Sequence, residues 1–198
     1  LGWLGFNGGS GLAADGLAAS AILITNIAAS AAALTWVILD WVINKKPTVI
    51  GFCTGVVAGL VAITPAAGSS GVLGACVIGA AAGSICFFMV AHVKPRLDYD
   101  DSLDAFGVHG IGGVIGSLLI GVFATQAITG EGGAQGALYG DWNQLWIQVI
   151  ATTGTVVFSA VMTWIIFRTV DAVVGIRASR ASESVGLDIS EHGEIAYE

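Results

Sequence analysis

Four long runs of this chain contain no Asp, Glu, Lys or Arg: residues 16–39, 47–93, 105–130 and 142–167. A shorter run of the same kind covers residues 1–9. In lipid, every backbone N–H and C=O must find its partner inside the structure, so only helices and closed barrels cross a bilayer. A barrel strand takes about 9–11 residues and a helix about 20. The long runs match helices. Residues 47–93 are too many for one helix, and the run carries its own punctuation. Thr64-Pro65-Ala66 breaks a helix, and Gly68-Ser69-Ser70-Gly71 is a turn, which makes a hairpin of two spans. The expectation is an all-α integral membrane protein, a polytopic helical bundle. It has one partial span at 1–9 and five full spans at about 16–41, 48–66, 71–93, 103–127 and 142–167, which together form a transmembrane domain over 1–167. Residues 168–198 are polar and read as an extramembrane tail.

Composition agrees. Hydrophobic residues make up 55% of the chain and charged residues 11%, against about 25% charged in soluble domains. Glycine, at 29 of 198 residues, follows no three-residue period, so collagen is excluded. The aliphatic content excludes disorder. Gly51, Gly55 and Gly59 recur every fourth residue, as do Gly79 with Gly83 and Gly112 with Gly116. This spacing lets helix backbones approach closely. The net charge of −7 comes from acids concentrated in loops and tail, and no basic face exists to support nucleic-acid binding. Cys53, Cys76 and Cys86 lie in apolar runs without C-x-x-C spacing and are expected to be packing residues. No cofactor or metal is expected. The chain opens on Leu1-Gly2-Trp3 inside an apolar segment, which suggests a piece of a longer protein.

The seven basic residues orient the spans. Lys45 and Lys46 follow the first full span, Lys94 and Arg96 the third, and Arg168, Arg177 and Arg180 the fifth. The intervening connections, around Asp15, Ser69 and Glu131, hold none. This is the positive-inside pattern, and it places the tail in the cytoplasm. The expected location is the inner (plasma) membrane, crossed several times. Trp142 and Trp146, and Trp36 with Trp41, fit aromatic belts at the membrane surfaces.

Few residues in the spans offer chemistry. His109 is the one imidazole between Ala105 and Gly130, and an intramembrane ionisable group is a functional candidate by default. Counted from Asp101 it lies eight residues along, about 12 Å at 1.5 Å per residue, near mid-membrane. Of its helical neighbours Ala105, Phe106, Gly112 and Gly113, all but Phe106 are small, so the ring faces another helix or a lumen. The plain alternative is a neutral histidine bonded to a buried carbonyl. Asp98, Asp100, Asp101 and Asp104 precede it and suit helix capping or attraction of cations. Asp104 stands five positions before His109, the wrong angle for pairing with it. Trp3, Phe6 and Ser10 share one helical face, either a structural aromatic stripe or a constriction with a hydroxyl above it. Aromatic faces attract cations by about 0.5–2 kcal/mol. Thr64 either caps the Pro65 break or faces a lumen. His92 and His192 read as solvated. No phosphate loop, nucleophile elbow or paired carboxylates support an enzyme.

Three stretches together carry a resemblance: Gly2-Trp3-Leu4-Gly5-Phe6-Asn7-Gly8-Gly9-Ser10, Thr64-Pro65-Ala66-Ala67-Gly68, and Asp104-Ala105-Phe106-Gly107-Val108-His109-Gly110. They resemble signature stretches of the ammonium transporter (Amt/Mep/Rh) family. The tail, Gly186-Leu187-Asp188 to His192-Gly193-Glu194 with Ala196-Tyr197, is similar to the bacterial Amt branch. The resemblance implies an eleven-span channel of two inverted halves, assembled as a homotrimer, of which this chain is the end of span six through span eleven. It implies that ammonium binds at an outer vestibule and that ammonia, with or without its proton, crosses a hydrophobic pore. Methylammonium would serve as an analogue. His109, Trp3 and Thr64 would line the conduction path, Phe6 would belong to the gate, and Ser10 would bind the cation. His109 would be the second of two pore histidines; the first histidine, the other gate aromatic and the vestibule tryptophan would lie in the other half. A PII-type signalling protein at the cytoplasmic loops and tail is an implied partner. An ammonium sensor on the same scaffold, or an Rh-type gas channel, is the alternative. A secondary transporter broken at Pro65 would need carboxylates within its spans.

Overall fold

A computed structural model describes residues 1–195. The described residues contain helices and one isolated bridge, between Ser70 and Ala124, and no strands. The chain divides into two compact units, 1–153 and 154–198. Five helices among the described residues are long and apolar enough to cross a membrane: Gly16–Asn44, Val49–Ala66, Val72–Leu97, Phe106–Phe123 and Trp142–Val174.

The first unit is organised around α2 (Gly16–Leu39). Asp15 caps its start, accepting from the N–H groups of Leu17 and Ala18, each at 3.0 Å. One face of α2 buries Ala21, Ile24, Thr25, Ala28, Ala32 and Trp36, the 3–4 residue period of a helix against its neighbours. That face is mostly alanine, so α3 (Val49–Ile63) and α4 (Val72–Phe88) can press on it. Gly59 of α3 lies so close that a Cβ there would fall 2.5 Å from the carbonyl oxygen of Ala28, and a Cβ on Gly83 of α4 would fall 2.6 Å from that of Ala32. Where lipid and core are equally apolar, such close van der Waals approach is what holds helices together. The spacing of these glycines in the sequence is therefore a packing device, as expected.

The Thr64-Pro65-Ala66 break is a short 3₁₀ turn that continues α3. After it, the backbone N–H of Thr125 donates to the carbonyl of Ser69 at 2.9 Å, tying the hairpin between α3 and α4 to the end of α6 (Ile111–Phe123). Three π-helical turns interrupt the bundle's long helices: Asp40–Asn44 after α2, Met89–Val93 after α4, and Phe106–Gly110 before α6. Short helices α1 (Gly2–Gly9), α5 (Lys94–Leu97) and α7 (Gln126–Thr129) complete the unit up to α8 (Trp142–Val174), which continues into the second unit. That unit ends with α9 (Arg180–Val185) and a π turn at Asp188–His192.

Some expectations need correction. The helix expected over about 103–127 stops at Phe123, because Ala124 is extended (ψ 140°) and Thr125 caps α7 instead. Helix α8 passes the expected end at 167 and carries Arg168 and Asp171. Trp36 is no belt residue: it is 4% exposed and packs edge-on against Phe87, with ring centroids 5.4 Å apart. Of the cysteines only Cys86 is buried, while Cys53 and Cys76 are exposed. His92 is not solvated either. Its ring packs against Phe87 and Phe88, and its Nδ1 is buried without a hydrogen-bond partner. The Ala196-Tyr197 part of the tail lies outside the described residues.

Candidate functional site

The indole of Trp3 is the centre of the site. Helix α1 carries it toward the end of α3, where its Nε1–H donates to Thr64 Oγ1 at 2.8 Å. Thr64 can accept because its own hydroxyl proton goes to the carbonyl of Leu60, 2.7 Å away, one turn back at the Pro65 break. On one side the Trp3 ring stacks against the imidazole of His109, with centroids 6.3 Å apart and planes at 22°. It also meets the Phe6 ring edge-to-face at 6.5 Å. Phe6, Trp3 and His109 thus form a continuous series of rings contributed by two helices. Phe6 is 61% exposed and His109 is also exposed, so the series borders open space in this chain.

Ser10 sits one turn beyond Phe6, at the C-cap of α1, and its hydroxyl donates to the Phe6 carbonyl at 2.8 Å. That bond consumes the proton and leaves the oxygen lone pairs as acceptors. Phe6, Asn7, Ser10, Leu17, Thr64 and Gly68 are among the residues lining a cavity of about 180 Å³. The five residues singled out from the sequence therefore meet around one column. Trp3 touches Phe6, Thr64 and His109, and Ser10 shares the cavity with Phe6 and Thr64.

His109 is placed by its local sequence. Asp101 accepts from the N–H groups of Ala105 and Phe106, both at 2.9 Å, and so satisfies the first free donors of the helix. The capping reading of the acidic cluster holds for this residue. The helix starts at Ala105, however, so His109 lies four residues in, about 6 Å rather than 12 Å along the axis. Asp104 pairs with Lys94 and not with the histidine. Gly107 is buried on the side away from the ring, where a Cβ would stand 3.1 Å from Val90 Cγ2.

One site residue went unremarked in the sequence. Asn7 is 6% exposed, and its Nδ2 donates to Thr25 Oγ1 at 2.9 Å; Thr25 in turn donates to the Ala21 carbonyl at 2.6 Å. An amide in an apolar run facing a threonine in the next was the available signal.

Aromatic faces, hydroxyl acceptors and one imidazole thus lie along an otherwise apolar wall. The model of the Ammonium Transporter Family matches residues 1–197. The chain belongs to this family. Among ammonium transporter family relatives, it is 46% identical over 198 residues to the ammonium transporter of Bacillus subtilis, covering 100% of this chain and 49% of that one. It is 48% identical over 197 residues to that of Aquifex aeolicus, covering 100% and 46%. Among solved structures of the same fold, Saccharomyces cerevisiae Mep2 superposes with a TM-score of 0.85 at 35% identity, over 91% of this chain and 41% of that one. A structure described as a sensor Amt protein gives 0.84 at 31% identity, over 96% and 46%. The chain spans about half the length of the relatives it matches. Family membership and the five apolar helices make it part of a multi-pass membrane protein.

Proposed function

We propose that the protein to which this chain belongs moves ammonium across a membrane, binding the cation outside the pore and conducting ammonia through it. The observation that carries this reading is the contact of Trp3 with both Thr64 and His109, in a chain that matches the ammonium transporter family along its length. Transferring a bare small ion from water to a medium like hydrocarbon costs on the order of 20 kcal/mol. Neutral ammonia carries no such cost. The ring of Phe6 and the oxygen of Ser10 hold the cation at the mouth, the cation gives up a proton that either returns to the outer water or follows along the imidazoles, and ammonia passes beside Trp3 and Thr64 to His109. The imidazole exchanges hydrogen bonds with the passing molecule, replacing those lost to water.

On this reading the rest of the pore, with its first histidine and other gate aromatic, comes from residues outside this chain. The two inverted halves make eleven spans, and three subunits assemble as a trimer in the plasma membrane. The tail faces the cytoplasm, as the placement of the basic residues supports. There, with the loops, it is the surface for a PII-type signalling partner. The likeness to a sensor Amt protein supports a second reading, in which the same site reports ammonium to a signalling element.

The test is flux through the full-length protein in liposomes. The wild type should carry ammonium and methylammonium, and His109→Ala should abolish uptake or admit ions that the wild type excludes. Methylammonium uptake unchanged in His109→Ala would sink the assignment of the histidine. Wild-type binding without flux would favour the sensor.

A further inference from the structure

The residues behind His109 are as organised as those in front of it. Asp104 immediately precedes its helix and has φ 55°, a left-handed conformation that a non-glycine residue keeps only when its surroundings impose it. Its side chain is ion-paired with Lys94 Nζ, both side chains being about one-quarter exposed (25% and 26%). Its carbonyl accepts from the N–H of Val108 at 2.9 Å, the residue bonded to His109. Lys94 itself closes the π-helical turn Met89–Val93, against which Gly107 is packed. Gly107 and His109, two residues apart, lie on roughly opposite sides of their turn. One side of the turn is wedged on Val90 and the other presents the imidazole to Trp3. The chain of contacts runs from Lys94 to Asp104, through the backbone to Val108, and so to His109.

We propose that Lys94 is a positioning residue for His109: its ion pair with Asp104 fixes the backbone from which the pore imidazole projects. The proposal rests on the transport reading above. A charge on the cytoplasmic loop then controls the tilt of a ring that Lys94 does not touch. A displacement of that ring changes conduction without changing capture of the cation at Phe6 and Ser10.

The experiment uses the full-length protein in liposomes, with flux normalised to inserted protein. Lys94→Met should lower the maximal rate on the order of threefold to tenfold, as small misplacements of a working group do. The apparent KM should change less than about twofold, while the ratio of methylammonium to ammonium flux shifts. Lys94→Arg, which keeps the charge, should retain more than half the rate. Arg96→Met, an exposed neighbour on the same short helix, is the control and should behave as wild type. If Lys94→Met does not insert, Asp104→Asn reads the same quantities. Lys94→Met or Asp104→Asn matching the control in rate and flux ratio overturns the proposal. So does failure of both to insert while Lys94→Arg is normal, since Lys94 is then needed only for folding. Absence of flux in the wild type would instead remove the transport reading, and this inference with it.

Discussion

Thr64→Val tests the centre of the site with almost no change of shape. The substitution removes the acceptor of the 2.8 Å bond from Trp3 Nε1 and also the bond from Thr64 to the Leu60 carbonyl. A neutral hydrogen bond contributes about 0.5–1.5 kcal/mol net, and leaving the indole N–H unpaired in a half-buried place adds to the loss. A coupling of about 1 kcal/mol between Thr64 and Trp3 corresponds to roughly a fivefold change in an equilibrium or rate constant. The measurement is a double-mutant cycle on maximal ammonium flux, with full-length wild type, Thr64→Val, Trp3→Phe and the double variant reconstituted side by side. In the Trp3→Phe background there is no indole N–H to lose. The Thr64→Val effect should therefore be about fivefold smaller there than in the Trp3 background. The Leu60 contribution is present in both backgrounds and cancels. Equal Thr64→Val effects in the two backgrounds would refute the view that Thr64 acts by holding Trp3.

Gly116→Ala should loosen the joint between α6 and α3, because a Cβ there collides with the backbone carbonyl of Ala62; overpacking of this kind costs about 1–3 kcal/mol, read as a lower melting temperature of the full-length protein in detergent. Cys86, fully buried on α4 against Val108, should resist maleimide under native conditions and react after denaturation; rapid native labelling would contradict its placement. The chain expressed alone should give no ammonium uptake, because the Phe6–Trp3–His109 series borders open space. Co-expression of the remainder of the protein as a separate polypeptide should restore uptake.

The helices were legible in the sequence because a membrane leaves the backbone few choices. A run without charges has to satisfy its own N–H and C=O groups, so the spans and their small-residue faces could be read from Gly51 to Gly116 without tertiary information. Their ends were less legible. Phe123 stops its helix although the apolar pattern continues through Ala124, since the stop comes from the Thr125–Ser69 backbone bond, a contact between segments more than fifty residues apart. Trp36 and His92 were misplaced for a related reason. Sequence position put both near a membrane surface, but both rings turn inward onto Phe87, beside the π-helical turns after α2 and α4.

The same distinction separates the front of the site from its back. His109 was singled out as the one imidazole in its apolar run, and Trp3, Phe6, Ser10 and Thr64 mainly because the stretches that hold them resemble the ammonium transporter family. Lys94, Asp101 and Asp104 are ordinary for a loop between spans, where charges cost little. Their structural meaning comes from geometry alone: Asp101 caps the first two residues of the histidine helix, and Lys94 is ion-paired with Asp104, which stands in a left-handed conformation. A loop charge that orients a pore ring leaves no mark in composition or periodicity. If the Lys94 series behaves as expected, selectivity in this site is set partly from the loop behind the histidine helix, by residues that never meet the transported molecule.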